Sequence, residues 1–179
     1  MSFGSRRPKT LYNDEPSLYE YAVGALGRRM RTVAELKRLL RQRVEDSEYG
    51  QVLVETVIAR LKEQRYLNDS SYAAAFSSMR KENQRFGKQR VISDLKHRGV
   101  HEQVIEKAVS ATYEGTNEEL LARDYLRRKR MKKPSNEKET ARIFRAMVRA
   151  GFASRTIFAV LKKWDVEDEV LTALESETE

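Results

Sequence analysis

Basic side chains crowd one short stretch of the chain, RDYLRRKRMKK, and they are the groups best suited to chemistry with a partner. The stretch contains Arg123, Arg127, Arg128, Lys129, Arg130, Lys132 and Lys133. Guanidinium and ammonium groups bind phosphates and carboxylates through charge-assisted hydrogen bonds. The stretch therefore predicts a surface for a polyanionic or acidic partner, although a solvated helix face or a localisation-like basic run has the same composition.

A second basic set precedes the first, and two such sets in successive repeats can form one stripe. This set contains Arg80, Lys81, Arg85, Lys88, Arg90, Lys96 and Arg98. Aromatic residues adjoin both sets, with Phe86 next to Arg85 and Tyr125 between Arg123 and Arg127. Exposed rings at these positions would stack on unpaired bases. Aromatics at helical spacing more often belong to a core, which is also the simplest interpretation of Trp164.

Charge is unevenly distributed along the 179 residues, whose net charge is +8. Residues 120–163 contain 14 Lys and Arg against 3 Asp and Glu, a net charge of +11. From Trp164 onward there are seven acidic residues and no basic ones. A basic segment next to an acidic tail predicts that the tail competes for the same surface as the partner.

Groups suited to catalysis are scarce. The two histidines, His97 and His101, have the i, i+4 spacing of metal ligands on a continuous helix, but Gly99 between them is expected to end that helix. Cysteine is absent, and no phosphate-binding loop, dinucleotide glycine fingerprint or nucleophile elbow occurs. We predict a protein that is not an enzyme and has no metal and no cofactor. No apolar run approaches the roughly 18 residues of a membrane span, so a soluble, cytoplasmic protein is expected.

Helices are expected to position these residues, because glycine and proline are few and good helix formers abound. Apolar spacing predicts helices over 16–30, 33–43, 52–64, 69–82, 88–97, 102–112, 118–131, 137–150 and 154–164. Thr32 and Glu35 form a capping box before the second helix, and Asn68 begins the turn into the fourth. Gly99 and Gly151 are expected to end helices in the left-handed conformation.

The helices fall into three rounds that can be superposed. Leu36 and Leu40 match Val91 and Leu95, and then Ile143 and Met147, at offsets of 55 and 52, so all six should be core positions. Three helices alone bury little apolar surface, so neighbouring rounds must stack. We predict an all-α, elongated tandem array of three three-helix repeats. The expected segments are a flexible leader at 1–15, repeats at 16–67, 68–115 and 116–164, and an acidic C-terminal tail at 165–179.

The string YLNDSSYAAAF, followed by RFGKQRVISDLKHRGVHEQVIEKAV, resembles the middle repeat of the RecX family of bacterial recombinase regulators. The shared features are an aspartate-containing turn, an aromatic-Ala helix, a Gly-basic-x-Arg element and a basic-Gly-Val corner. The residues that fit are Tyr66, Leu67, Asp69, Tyr72, Ala73, Phe76, Gly87, Arg90, Leu95, Gly99 and Val100. The resemblance extends over roughly residues 21–161, which is most of the chain.

The resemblance implies a non-catalytic, monomeric regulator that binds the RecA filament on DNA and inhibits its ATP hydrolysis, strand exchange and co-protease activity in DNA repair and the SOS response. A general single-stranded nucleic-acid-binding helical module and a purely structural helical scaffold stay open as alternatives. The basic residues expected to contact filament or nucleic acid are Arg85, Lys88, Arg90, Lys96, Arg98, Arg123, Arg127, Arg128, Lys129, Arg130, Lys132 and Lys133.

Overall fold

The computed structural model describes residues 10–176, and within this range the secondary structure is entirely helical. The helices are α1 (Glu15–Arg28), α2 (Val33–Arg41), α3 (Glu48–Glu63), α4 (Asp69–Gln84), α5 (Lys88–His97), α6 (Glu102–Tyr113), α7 (Glu118–Arg128), α8 (Glu137–Arg149), α9 (Ser154–Lys162) and α10 (Asp168–Ser176). The predicted all-α class is confirmed. Among the described helices none combines the length and the apolar character that crossing a membrane requires.

The chain divides into two compact units. The described part of unit 1 comprises residues 10–72 with 98–100, and that of unit 2 comprises residues 73–97 with 101–176. In unit 1, α1, α2 and α3 pack against one another around a core that includes Leu18, Leu36, Leu40 and Leu61, all fully buried. Burying such leucines contributes about 1.5–3 kcal/mol each to folding, so this core is the main source of stability in unit 1.

The start of α2 collects three hydrogen bonds that fix it in unit 1. The predicted capping box is present, since Glu35 N–H donates to Thr32 Oγ1 over 3.1 Å and Thr32 N–H donates to Glu35 Oε2 over 3.4 Å. Val33 N–H donates to Asp69 Oδ1 over 2.9 Å, and burial raises the pKa of this carboxyl group. Asn68 caps α4, as predicted, by accepting from Ser70 N–H and Ser71 N–H. The turn at 68–69 therefore serves two helices at once.

Unit 2 has a core built mainly from the last four helices. α9 contacts α7, α8 and α10, and the fully buried side chains include Phe144, Ile143, Met147 and Ile157. Tyr125 of α7 lies against Phe152 with the ring centroids 5.8 Å apart, and against Phe86 at 6.3 Å. The α7 helix is therefore held by aromatic and aliphatic contacts on one face, which leaves its other face to solvent.

A glycine corner makes a close backbone contact in each unit. In unit 1 Gly99 has φ +75°, its preceding carbonyl at Arg98 accepts from Thr32 Oγ1 over 2.7 Å, and a Cβ on Gly99 would lie 2.5 Å from the Ala34 Cβ. In unit 2 Gly151 has φ +85°, and the preceding carbonyl at Ala150 accepts from Gly87 N–H over 2.8 Å. The predicted left-handed glycines are confirmed. In both units the carbonyl of the residue before the left-handed glycine accepts a hydrogen bond from another part of the unit.

The largest differences from the sequence prediction concern the start of α3, the end of α7 and the expected acidic tail. α3 begins at Glu48, because Ser47 Oγ accepts from Gly50 N–H, so the loop expected up to residue 51 is partly helical. α7 ends at Arg128 rather than at 131, since Arg130 takes φ +54°. Within the expected acidic tail, residues 168–176 form α10, whose Leu171 and Leu174 are buried. Of the expected leader, residues 1–9 lie outside the described part, while Tyr12 N–H donates to the Arg43 carbonyl over 2.7 Å.

The six aligned core positions are all buried, with exposed fractions of 0–1%. Replacing Leu95 with Ala is therefore expected to lower the free energy of unfolding by about 2–5 kcal/mol, because it leaves a cavity in a fully packed site. Leu120→Ala provides the matched control, since Leu120 is 57% exposed and the same truncation should cost within about 0.5 kcal/mol. Urea denaturation of the two variants measures both values, and equal losses would contradict the alignment of the repeats.

Candidate functional site

The densest group of unpaired cations follows the end of α7. Lys129 N–H donates to the Tyr125 carbonyl over 2.9 Å and Arg130 is left-handed, so residues 129–136 form a connection to α8 instead of continuing the helix. Arg128, Arg130 and Lys132 are exposed, and none has an acidic partner within 4.0 Å among residues 10–176. The predicted basic helix is therefore wrong in its second half, where the cations lie on a connection.

Other members of the predicted set are engaged in ion pairs. Arg127 pairs with Asp124, Arg123 lies 3.4 Å from Glu119, and Lys133 lies 2.6 Å from Asp165. Lys163 also bonds to Glu119 over 2.6 Å and lowers the pKa of that carboxyl group, as Lys133 does for Asp165. Because all these pairs are largely exposed, each contributes little to stability and can exchange its carboxylate for another anion.

α8 carries a row of cations that the sequence analysis did not select. Lys138, Arg142, Arg145 and Arg149 are all exposed, and their i, i+4, i+7, i+11 spacing places them on one side of the helix. Counting basic residues at helical spacing in residues 120–163 would have found this row. The run at 127–133 has a higher local concentration of charge, which makes the row on α8 less conspicuous in the sequence.

The connection and α8 form one continuous basic surface, because they share the walls of two shallow grooves. One groove of about 460 Å³ is lined by Arg130, Lys132, Lys133 and Arg142, and a second of about 580 Å³ by Lys138, Arg142, Arg145 and Arg149. We call this the C-terminal basic surface. Its members are the cations that line the two grooves, together with Arg128, which directly precedes Lys129 in the chain: Arg128, Lys129, Arg130, Lys132, Lys133, Lys138, Arg142, Arg145 and Arg149. Glu139 also lines both grooves.

Part of the middle basic set approaches this surface inside unit 2. The Arg90 backbone lies against Gly151 at the end of α8, where an added Cβ would be 2.1 Å from the Arg90 nitrogen. Burial raises the pKa of the Tyr125 hydroxyl, and the positive charges of Arg149 and Arg90 partly oppose that shift. Arg90 also bonds to Asp94 over 3.0 Å. Arg85 and Lys88 flank Gly87, whose N–H donates to the Ala150 carbonyl after α8. These three cations therefore lie near the end of α8.

The four remaining members of the middle set have other partners. Arg80 lies 3.3 Å from Asp94, and Lys81 donates to the Thr112 carbonyl over 2.7 Å. Arg98 lies in unit 1, where its Nη1 is 2.7 Å from Glu35 Oε1 at the start of α2. Lys96 lies in unit 2 and bonds to Glu102 over 2.8 Å. Arg98 has the partner and location of a residue that stabilises the fold, because a charged pair with one partner mostly buried is costly to break.

Of the three aromatics considered for stacking or core packing, one is buried and two are half-buried. Tyr125 is 6% exposed, so it is a core residue and is not free to stack on a base. Phe86 is half-buried against Tyr125. Trp164, expected in the core, is also half-buried and lines a groove of about 800 Å³ between α7 and α9. The spacing of residues does not predict that Trp164 lines a groove, because a tryptophan at the end of an amphipathic helix can lie either in the core or at the edge of a groove.

The two histidines do not converge on a site. His97 Nδ1 lies 2.7 Å from the Ser93 carbonyl in its own helix, and His101 precedes α6 without a side-chain capping bond. Gly99 separates them, as predicted. Within residues 10–176 no group of three or more histidine, aspartate or glutamate side chains is arranged to hold a metal ion.

Both the sequence and the fold are similar to those of known proteins. The family model described as RecX, second three-helix domain, matches residues 68–109. The regulatory protein RecX of Deinococcus radiodurans is 33% identical over 160 residues, which cover 88% of this chain and 73% of that protein. The chain belongs to the RecX family. The regulatory protein RecX of Bacillus subtilis is 27% identical over 92% of this chain, and that of Bacillus velezensis is 28% identical over 88%.

Solved structures share the fold. The crystal structure of RecX from Lactobacillus salivarius aligns with a TM-score of 0.64 at 19% identity, covering 84% of this chain and 96% of that one. The chain spans 62% of the B. subtilis relative and 59% of the B. velezensis relative. The RecX resemblance found in the middle of the sequence is therefore confirmed at the level of family and fold.

Proposed function

We propose that this protein is a non-catalytic regulator that binds the RecA filament on DNA and inhibits the filament's ATP hydrolysis, strand exchange and co-protease activity. Family membership supports a regulatory role, since the curated relatives carry the name regulatory protein RecX. The observation that carries the proposal in this chain is the C-terminal basic surface of unit 2. A filament on DNA offers both phosphates and acidic protein side chains to such a surface.

The structure alters which residues we propose for the contact. Arg128, Arg130 and Lys132 are the strongest candidates, because they are exposed and lack an acidic partner among the described residues. Lys138, Arg142 and Arg149 extend the surface along α8. We propose that Arg98 stabilises the fold through its bond to Glu35 and does not contact the partner. The residues at the edge of the surface that remain candidates for the contact are Arg85, Lys88 and Arg90.

A general single-stranded nucleic-acid-binding module is the second candidate function. The observation that favours this function is the same continuous basic surface, because proteins that bind single strands use positively charged grooves that follow the nucleic-acid backbone. The buried state of Tyr125 argues against it, because sequence-tolerant binding of single strands combines such a groove with exposed stacking rings. In the leading proposal, by contrast, the protein is a monomeric, cytoplasmic regulator.

Binding to single-stranded DNA, measured with and without assembled recombinase at two salt concentrations, separates the two functions. A nucleic-acid module loses affinity steeply as salt rises, with a slope of about −0.7 per phosphate neutralised on single strands. A filament regulator is expected to bind the assembled filament at least about tenfold more tightly than naked DNA at the higher salt, because part of its contact is with protein. Equal affinity for naked and coated DNA would contradict the filament proposal.

A further inference from the structure

An apolar groove with a basic rim lies beside the C-terminal basic surface and is not explained by phosphate binding. It has a volume of about 800 Å³ and runs between α7 and α9 within unit 2. Its apolar lining consists of Leu120, Leu126, Met131, Val160 and Trp164. Leu120 is 57% exposed, so the groove presents a large aliphatic side chain that nothing in the described part of the chain covers.

The rim of this groove is strongly positive. Five basic side chains line it against a single acid, Asp124; the five are Arg123, Arg127, Arg130, Lys132 and Lys163. Arg130 and Lys132 lack acidic partners within the described residues, and the other three are satisfied by the carboxylates of Glu119 and Asp124. Three of the five rim cations therefore already bind carboxylates in the positions they occupy.

We infer that this groove binds an acidic amphipathic helix of a partner protein, whose apolar side chains enter the groove while its carboxylates pair with the rim. Within α7 the lining residues run from Leu120 to Arg127, about 11 Å of helix axis or two turns, and Met131 extends the lining beyond the end of α7. Apolar anchors at i, i+4 and i+7 match the two turns, and an anchor at i+11 extends toward Met131, following the spacing by which helices dock into apolar grooves. A volume of about 800 Å³ is sufficient for several aliphatic side chains.

The lining favours a helix over unpaired bases. Stacking of successive bases requires a series of aromatic faces, but Trp164 is the single aromatic residue of this lining, and the other four apolar members are aliphatic. Carboxylates are also the anions that the rim is seen to pair with, in Glu119 and Asp124. The inference goes beyond the proposed function, which does not specify a helix, and it requires neither recombinase nor filament for its test.

Trp164 makes the test direct, because it is the single tryptophan of the sequence and lies in the groove. The probe is a synthetic helical peptide of about 18 residues without tryptophan, with four leucines at the stated spacing and glutamates on the other faces. Two control peptides separate the contributions: one replaces the leucines with serine at the same charge, and the other replaces the glutamates with lysine at the same apolar pattern. Each is added to the full chain while Trp164 emission and the polarisation of a label on the peptide are recorded.

We expect the leucine-glutamate peptide to shift Trp164 emission to shorter wavelength and to bind at concentrations below about 100 µM, with both control peptides at least about tenfold weaker. Leu120→Asp should weaken binding about tenfold or more, since it places a charge among the anchors and the rim. Val148→Asp is the matched control, because Val148 is also exposed, at 37%, and does not line the groove; it should change affinity less than about twofold. Circular dichroism of both variants checks that the fold is kept.

Two results would overturn the inference. The first is equal binding of the serine and leucine peptides, or an unchanged affinity in Leu120→Asp, either of which would leave only nonspecific charge attraction. The second is a shift of Trp164 emission by an oligothymidine probe that is lost in Leu120→Asp and that displaces the peptide, which would make the groove a nucleic-acid site.

Discussion

Replacing Arg128, Arg130 and Lys132 together with Glu is expected to weaken binding to the recombinase filament on DNA by at least about tenfold near 0.15 M salt. These are the exposed cations of the C-terminal basic surface that have no acidic partner among the described residues, so their reversal breaks no ion pair within the described fold. Arg127 is left unchanged, because its reversal would place a carboxylate beside Asp124. Filament binding is measured by fluorescence anisotropy of labelled DNA, and helical content by circular dichroism.

A control variant with the same change in net charge shows whether position matters. Arg38, Arg65 and Lys107 are exposed cations outside the C-terminal basic surface, and their combined replacement with Glu should change affinity less than about threefold. The logarithm of affinity falls linearly with the logarithm of salt concentration, and loss of phosphate contacts in the test variant should make that slope shallower by about two to three units. If both variants lose affinity equally, binding depends on net charge alone and the proposed surface is wrong.

Replacing Gly151 with Ala is expected to lower the free energy of unfolding by about 2–5 kcal/mol. Gly151 has φ +85°, where a Cβ is disfavoured by about 1–2 kcal/mol, and the added Cβ would lie 2.1 Å from the Arg90 nitrogen. The facing residue gives the same result from the other side, since a Cβ on Gly87 would lie 2.2 Å from the Gly151 carbonyl oxygen. Urea denaturation monitored by Trp164 fluorescence reports on unit 2.

Gly115 provides the matched control for the corner. It also has a positive φ, of +63°, but a Cβ there would meet no atom within 4 Å, so Gly115→Ala should cost only the conformational part, about 1–2 kcal/mol. A Gly151→Ala variant that loses no more stability than Gly115→Ala would show that the contact between Arg90 and Gly151 is not close-packed.

The sequence was sufficient for the helical repeat because its signals are local and periodic. Leu40, Leu95 and Met147 occupy aligned positions and are all fully buried, and the capping box at Thr32 and the left-handed corner at Gly99 occur as predicted. Helix ends were less accurate. α7 was extended to 131 because Lys and Arg are good helix formers, yet Arg130 adopts the left-handed conformation that ends it.

The candidate site was only partly predictable, because a cation's partner depends on tertiary structure. Arg98 and Lys132 both lie in basic stretches of the sequence. In the structure Arg98 bonds to Glu35, 63 residues away, whereas Lys132 has no acidic partner among the described residues. Trp164 was expected in the core, and its position at a groove follows from how α7 packs on α9, which periodicity does not determine. Local charge density indicates residues 120–163 as the candidate region, and the fold determines which cations there have an acidic partner.

Recombinase ATP turnover on single-stranded DNA is the most direct measurement of whether this protein regulates a recombinase filament. The turnover is measured against increasing amounts of the protein, repeated with extra single-stranded DNA and with the variant in which Arg128, Arg130 and Lys132 are Glu. We expect inhibition well below one molecule per recombinase subunit, little changed by the extra DNA and strongly reduced in the variant, because one regulator affects several neighbouring subunits. Inhibition that requires stoichiometric protein and disappears when DNA is added would contradict the account and favour the nucleic-acid-binding module.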